Sequence, residues 1–267
     1  MDYHSINIGI SASFTLDELE KRLLDEVAKQ SLPVENVVVG QYNNFFAALS
    51  DTKFFGDSVL DVSFHFYFLE DVFQSDFERF KAGAEIDWGA FLISIETAIR
   101  ALVSNSELSN TKQVLCLDSR LSLSTLDAVN FQQKTRVARF LSEMHSLVYS
   151  LISESPNIIY FHFGDLIRKN SNGDNVDWRK EFLFRNPLNI DMTKELVQSV
   201  VSLLKSVSIV PSAKVIAVDC DNTLWGGVIG EDGIDKIGLG EDFPGRVYRK
   251  FQFDLLNLKN CGFILCL

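Results

Sequence analysis

What this chain lacks narrows its function before any motif is read. No uninterrupted apolar stretch approaches the roughly 18 residues that a spanning helix needs, so no membrane-crossing segment is expected. Met1-Asp2-Tyr3-His4 supply no basic region leading into an apolar one, which argues against a secretory leader. No basic run offsets the formal charge of -11, and that charge repels a phosphate backbone, so nucleic acid is not an expected partner. There are only four cysteines, Cys116, Cys220, Cys261 and Cys266, in or beside apolar strand-like segments and without metal-type or disulfide-framework spacing. The expected state is buried thiols in a reducing compartment, hence a cytoplasmic location. Histidine is equally scarce. His65 alternates with phenylalanines, His145 falls in a helical pattern, and both read as structural; His162, near a strand exit and followed by Asp165, is kept as a binding-site candidate.

What is present is ample core material. At 46% hydrophobic, with 22 phenylalanines, the 267 residues can fill one large or two medium cores. Strand patterns occur at Ser5 to Ile10, Val34 to Gly40, Val59 to Leu69, Gln113 to Leu117 and Asn157 to Phe163, with Val62, Phe64, Phe66 and Phe68 alternating along the third. Between them run helical patterns: one opened by a Thr15-x-x-Glu18 capping box and ending near Gln30, then Tyr42 to Ser50, Asp71 to Lys81, Trp88 to Ser104, Asn130 to Ser153 and, after a polar loop at 170–175, Met192 to Ser206. Strands alternating with helices predict an α/β fold, a doubly wound parallel sheet of flavodoxin-like type over residues 1–207. A short linker at 208–213 then precedes a second α/β unit over 214–267, with a helix from Pro244 to Lys259 and a strand at Gly262 to Leu267.

That second unit opens on the chemistry. Val215-Ile216-Ala217-Val218 is a short, mostly β-branched run that reads as a buried parallel strand and delivers Asp219 and Asp221 beyond its carboxyl end, where ligands of doubly wound sheets sit. Alternation along an extended backbone would point both carboxylates to one side and Cys220 away. Such a pair can share Mg²⁺ through oxygen together with a substrate phosphate. One aspartate could then attack phosphorus while the other serves the leaving oxygen as acid and water as base. The Thr223 hydroxyl and nearby N–H groups would hold phosphoryl oxygens.

Asp219-Cys220-Asp221-Asn222-Thr223 resembles motif I of the haloacid-dehalogenase (HAD) superfamily, and the longer string from Asp219 to Gly233, DCDNTLWGGVIGEDG, is similar to its FkbH-like branch, subfamily IIIC. The resemblance implies a Rossmann-like HAD phosphatase. Asp219 would be the nucleophile that becomes an aspartyl-phosphate and Asp221 the general acid/base. Mg²⁺ would be held by the Asp219 side chain and the Asp221 backbone carbonyl, with Asn222 and Thr223 toward the substrate. It also implies a small phosphorylated metabolite as substrate and, for FkbH-like relatives, glyceryl loading onto an acyl carrier protein as partner. Such a site further requires a Ser or Thr after the second strand, a lysine and more acidic residues. These are expected beyond Leu267, so the 267-residue chain is expected to be an incomplete HAD unit with little activity alone.

In FkbH-like proteins the preceding region resembles SGNH hydrolases, which raises an esterase as an alternative. Gly56-Asp57-Ser58 spells the nucleophile tripeptide but precedes the third strand, and reads as a turn. The first-strand exit, Ser11-Ala12-Ser13-Phe14-Thr15, has serines but no Gly-Asp, and Asn186-Pro187-Leu188-Asn189-Ile190-Asp191 has no histidine. The first domain is thus expected to be SGNH-like in fold and degenerate in catalytic residues. A non-catalytic binding or scaffold module is the second alternative. Gly226, Gly227, Gly230 and Gly233 suit a flap or hairpin, and Glu241, Asp242 and Asp254 read as solvated surface charge.

Overall fold

The computed structural model describes residues 5–109, 111–120, 131–153, 155–162, 176–207 and 215–266. The expected loop at 170–175, the linker at 208–213, Asp165 and the first four residues lie outside them. The chain divides into two compact units, Met1–Ile209 and Val210–Leu267.

In the first unit β1 (Ile6–Ala12), β2 (Val34–Val39), β3 (Val62–Phe68), β4 (Lys112–Asp118) and β5 (Ile158–Tyr160) form one parallel sheet in the order β2-β1-β3-β4-β5. Its helices are α1 (Asp17–Lys29), α2 (Phe45–Ser50), α3 (Leu69–Val72), α4 (Gln74–Lys81), α5 (Trp88–Leu108), α6 (Phe131–Ile152), α7 (Trp178–Phe184) and α8 (Ile190–Val207). This is the doubly wound α/β architecture that the alternating pattern predicts.

The central strand sets the core. All seven residues of β3 are buried, as a strand covered by helices on both faces must be. Val62, Phe64, Phe66 and Phe68 join Ile8, Ile10, Val114 and Cys116 under α1 and α8. Tyr67, Leu115 and Leu117 turn the other way, into a second core with residues of α2, α5 and α6. Each fully buried phenylalanine contributes about 1.5–3 kcal/mol by leaving water.

Two local expectations change. The Thr15-x-x-Glu18 capping box does not form: Thr15 Oγ1 donates to Phe184 O at 2.8 Å, Thr15 N donates to Arg185 O at 3.1 Å, and Leu16 occupies the N-cap position without a side-chain bond. Thr15 is drawn away by α7, an element the hydrophobic pattern does not reveal because Trp178, Phe182, Leu183 and Phe184 are exposed. Asp177 starts α7 by accepting from Lys180 N at 2.9 Å. The helix expected over 71–81 is two, α3 and α4, interrupted at Phe73.

On the second face β1, β3 and β4 carry a polar ladder. Parallel pairing sets Ser11 beside His65 and Ser63 beside Gln113. His65 Nε2 lies 2.9 Å from Gln113 Oε1, which can only accept, so Nε2 bears the proton and Nδ1 accepts from Ser11 Oγ at 2.8 Å. Burial lowers the His65 pKa to about 4, opposed by the Gln113 hydrogen bond.

The second unit has a two-stranded parallel sheet of β6 (Val215–Ala217) and β7 (Ile264–Cys266), a short α9 (Ile229–Asp232) and the long α10 (Gly245–Asn260). Among its described residues only Val218, Gly245 and Leu255 are buried, while Val215, Val247, Phe253 and Ile264 are more than half exposed.

His65 carries a pH signature. The unfolded chain binds its proton below about pH 6.5 and the folded one only near 4, so this stability is full above pH 6.5 and is lost as pH falls to about 4, a change of about 3 kcal/mol. The check is an NMR titration of the His65 ring alongside denaturation at each pH. A ring midpoint near 6.5 would contradict the buried neutral assignment.

Candidate functional site

The loop after β6 is built from the strand outward. Val218 continues the pairing by donating its N–H to Cys266 O at 2.8 Å, and its side chain is buried. The regular strand ends at Ala217, so Asp219, Cys220 and Asp221 lie in the connection that follows rather than on a pleat. The alternation expected to align the two carboxylates therefore does not reach them; hydrogen bonds position them instead. Cys220 O accepts from Leu224 N at 2.8 Å and Thr223 N at 3.3 Å, which closes a tight turn over Asp221 and Asn222. Asp219 Oδ1 accepts from Cys220 N at 2.8 Å, and this residue is exposed. Asp221 Oδ1 accepts from Trp225 Nε1 at 2.9 Å and Ile229 N at 3.2 Å. Both of these hydrogen bonds fall on the one oxygen, Oδ1.

Asn222 is the turn's clamp. It sits at φ 55°, the left-handed region that asparagine tolerates better than most residues. Its Oδ1 accepts from Gly227 N at 2.9 Å, and its own N–H donates to Gly227 O at 3.3 Å. Gly227, at φ 100°, begins the glycine-rich segment, and a pair of hydrogen bonds between Gly226 and Gly238, 3.1 and 2.7 Å, draws it into a closed loop. From α10, Gln252 Nε2 donates to Leu224 O at 2.6 Å. Asp219, Asp221, Asn222 and Thr223 thus share one short turn. Among the described residues no third carboxylate, histidine or thiol joins the two aspartates in a group close enough to hold a cation. Asp254 pairs with Lys250 at 2.8 Å and Glu241 with Arg249, ordinary exposed ion pairs.

At the carboxyl ends of β3 and β4 a network of charged groups gathers on Arg120. Arg120 pairs with Asp71 and, at 3.2 Å, with Glu181, while its backbone N–H donates to Glu70 Oε2 at 3.0 Å. Its guanidinium also lies 5.1 Å from the centre of the Phe68 ring. Burial pushes the Asp71 carboxyl up to about 6, against Arg120 and the Ser13 hydroxyl, which pull it down. Sequence pattern did not find Glu181, because α7 itself was not legible. Nor did it pair Ser11 with His65, 54 residues apart and joined only by strand register. Both groups of that pair are within 1% of full burial, so it is a core contact and not an exposed nucleophile. Ser13 is equally buried and accepts from Phe68 N at 3.0 Å. Ser58 is exposed on the turn before β3, at the sheet end remote from strand exits. One further group, Asp118 with His145 and His162, brings three potential metal-ligating atoms within 4.8 Å of one another.

No protein-family model matches this chain, and no curated protein does. Among solved structures, the N-terminal part of BF1531 from Bacteroides fragilis, described as containing a phosphatase domain and complexed with Mg, is similar with a TM-score of 0.70 at 15% identity, over 98% of this chain and 68% of that one. Axe2, an acetyl xylan esterase from Geobacillus stearothermophilus, is similar with a TM-score of 0.50 at 12% identity, over 79% of this chain and 100% of that one. The chain therefore has an α/β fold of the kind found in hydrolases. No helix among the described residues is long and apolar enough to cross a membrane.

Two results follow from the geometry. Replacing Asn222→Ala loses the Gly227 clamp and strains the left-handed turn, which should destabilise the loop by about 2 kcal/mol, whereas Asn222→Gly keeps the backbone and costs less; amide hydrogen exchange at Gly227 reads the difference. A fluorophosphonate probe should label neither Ser11 nor Ser13, and a stable adduct on either would restore the esterase alternative.

Proposed function

We propose that the unit beginning at β6 is the start of a HAD-type, Mg²⁺-dependent phosphatase or phosphotransferase of FkbH-like type, and that residues 1–207 form its SGNH-like companion domain. The observation that carries the reading is the turn itself: an aspartate at a strand exit, followed two residues later by a second aspartate held through Oδ1 by Trp225 and Ile229. The fold likeness to a phosphatase-domain protein complexed with Mg supports it, as does the string DCDNTLWGGVIGEDG from Asp219 to Gly233.

In this reading an Asp219 carboxylate oxygen attacks phosphorus of a small phosphorylated metabolite. The new O–P bond forms as the ester P–O bond breaks, and the departing alkoxide takes the proton carried on Asp221 Oδ2. Asp221, now ionised, removes a proton from water as that water attacks the aspartyl-phosphate, releasing phosphate and restoring Asp219. Asn222 fixes the turn and Thr223 offers its hydroxyl to the phosphoryl oxygens. The oxygen-rich loop suits Mg²⁺, with the Asp219 side chain and the Asp221 backbone as its protein donors; when bound, the ion offsets phosphoryl charge. The narrower role, glyceryl transfer to an acyl carrier protein, rests on the resemblance of residues 219–233 alone.

The test is Mg²⁺-dependent phosphate release from a panel of small phosphate esters, using this chain and a version extended past residue 267, each with and without Asp219→Asn. Release by the extended protein that Asp219→Asn lowers at least about 10³-fold supports the reading. Equal release by both would move the chemistry elsewhere, and no release by either would favour the binding or scaffold alternative.

A further inference from the structure

We propose that Asp118, His145 and His162, all in the first unit, form a binding site for a divalent transition-metal cation of the zinc class. The topology gathers them. Asp118 is the last residue of β4, His162 follows the end of β5 by two residues, and those strands are paired neighbours, with Leu115 beside Tyr160. His145 comes from α6. Strand exits of a parallel sheet are where such folds place ligands.

The donor atoms are close and chemically matched. One atom from each residue lies within 4.8 Å of the others, and His145 Nε2 is 4.0 Å from Asp118 Oδ1. Tetrahedral zinc, with bonds of about 2.0–2.2 Å, places its donors roughly 3.3–3.5 Å apart. Closing around an ion therefore asks for about 1 Å of side-chain movement, available to histidines that are partly exposed. Two imidazoles and one carboxylate suit Zn²⁺, Co²⁺ or Mn²⁺, whereas Mg²⁺ prefers an all-oxygen set. Three protein donors also leave a position for water or an anionic ligand.

The surroundings prepare His145 for this role. The Tyr160 hydroxyl donates to Leu117 O at 2.8 Å, so toward His145 its oxygen can only accept. His145 Nδ1, 2.9 Å away, is then the protonated nitrogen. That tautomer leaves the lone pair on Nε2, the atom that faces Asp118. A ligating histidine anchored through its other nitrogen to a fixed oxygen is the arrangement outer shells of metal sites provide. The His162 ring centre is 4.9 Å from that of His145, and the Tyr149 hydroxyl restrains it through Nε2.

The experiment is a Co²⁺ titration of the full chain after chelator treatment, followed by visible absorption and by displacement with Zn²⁺. The chain carries Asp219→Asn so that the aspartate turn cannot supply the signal. One equivalent of Co²⁺, with ligand-field bands, without thiolate charge transfer and displaced by Zn²⁺ but not by Mg²⁺, is expected. His162→Gln and Asp118→Asn should each weaken uptake at least about 10-fold, and Tyr160→Phe about 10–100-fold. The partly exposed His162 serves as the decisive variant if Asp118→Asn does not fold. No uptake by the parent chain, or uptake that His162→Gln leaves unchanged, would overturn the assignment and leave the group as a hydrogen-bonded histidine cluster.

Discussion

The rest of the structure depends on one constraint: an all-parallel sheet must be covered on both faces, and all its strands must exit at the same end. Covering both faces forces β3 to be buried throughout. The phenylalanines at 64, 66 and 68 take one core, and Tyr67 and the polar pair Ser63 and His65 are driven into the other side. A buried imidazole without partners would be costly, so the ladder of Ser11, Ser63 and Gln113 is a condition of placing His65 there. The hydrogen bonds satisfy both ring nitrogens, and the ring stays neutral.

The common exit of the strands has different consequences along the sheet. Near β3 and β4 the exit carries Arg120, held between Asp71 and Glu181 and seated on Phe68. A partly buried guanidinium between two carboxylates ties the ends of β3 and β4 to α7. One strand further, at β4 and β5, the exit carries imidazoles and a carboxylate with their hydroxyl supports. In the second unit the exit of β6 is an exposed, hydrogen-bonded turn. The same backbone rule therefore yields an ion-paired exit, a nitrogen-rich group and an oxygen-rich turn, distinguished by side chains alone.

Much of the fold was legible. Apolar runs bounded by polar loops marked the strands, with alternation clearest in β3, and 3.6-residue periodicity marked the long helices α1, α5, α6 and α8, which bury a stripe against the sheet. What escaped was whatever does not bury such a stripe. Helix α7 exposes its aromatic residues, so no periodicity announced it, and with it went Glu181 and the partner that removes Thr15 from its capping box. The break at Phe73 escaped because aromatic packing runs through it, with Phe73 stacked on Phe91 at 4.3 Å.

The amino-acid sequence by itself determined the alternating α/β order, the scarcity of candidates for thiol and imidazole chemistry, and the placing of Asp219, Asp221, Asn222 and Thr223 at a strand exit. These are local properties, set by neighbours a few residues apart. Only the tertiary structure decided that Ser11 meets His65, that Arg120 reaches Asp71 and Glu181, and that Asp118, His145 and His162 converge. Those contacts span tens of residues and depend on strand order and register, which no short window of sequence contains.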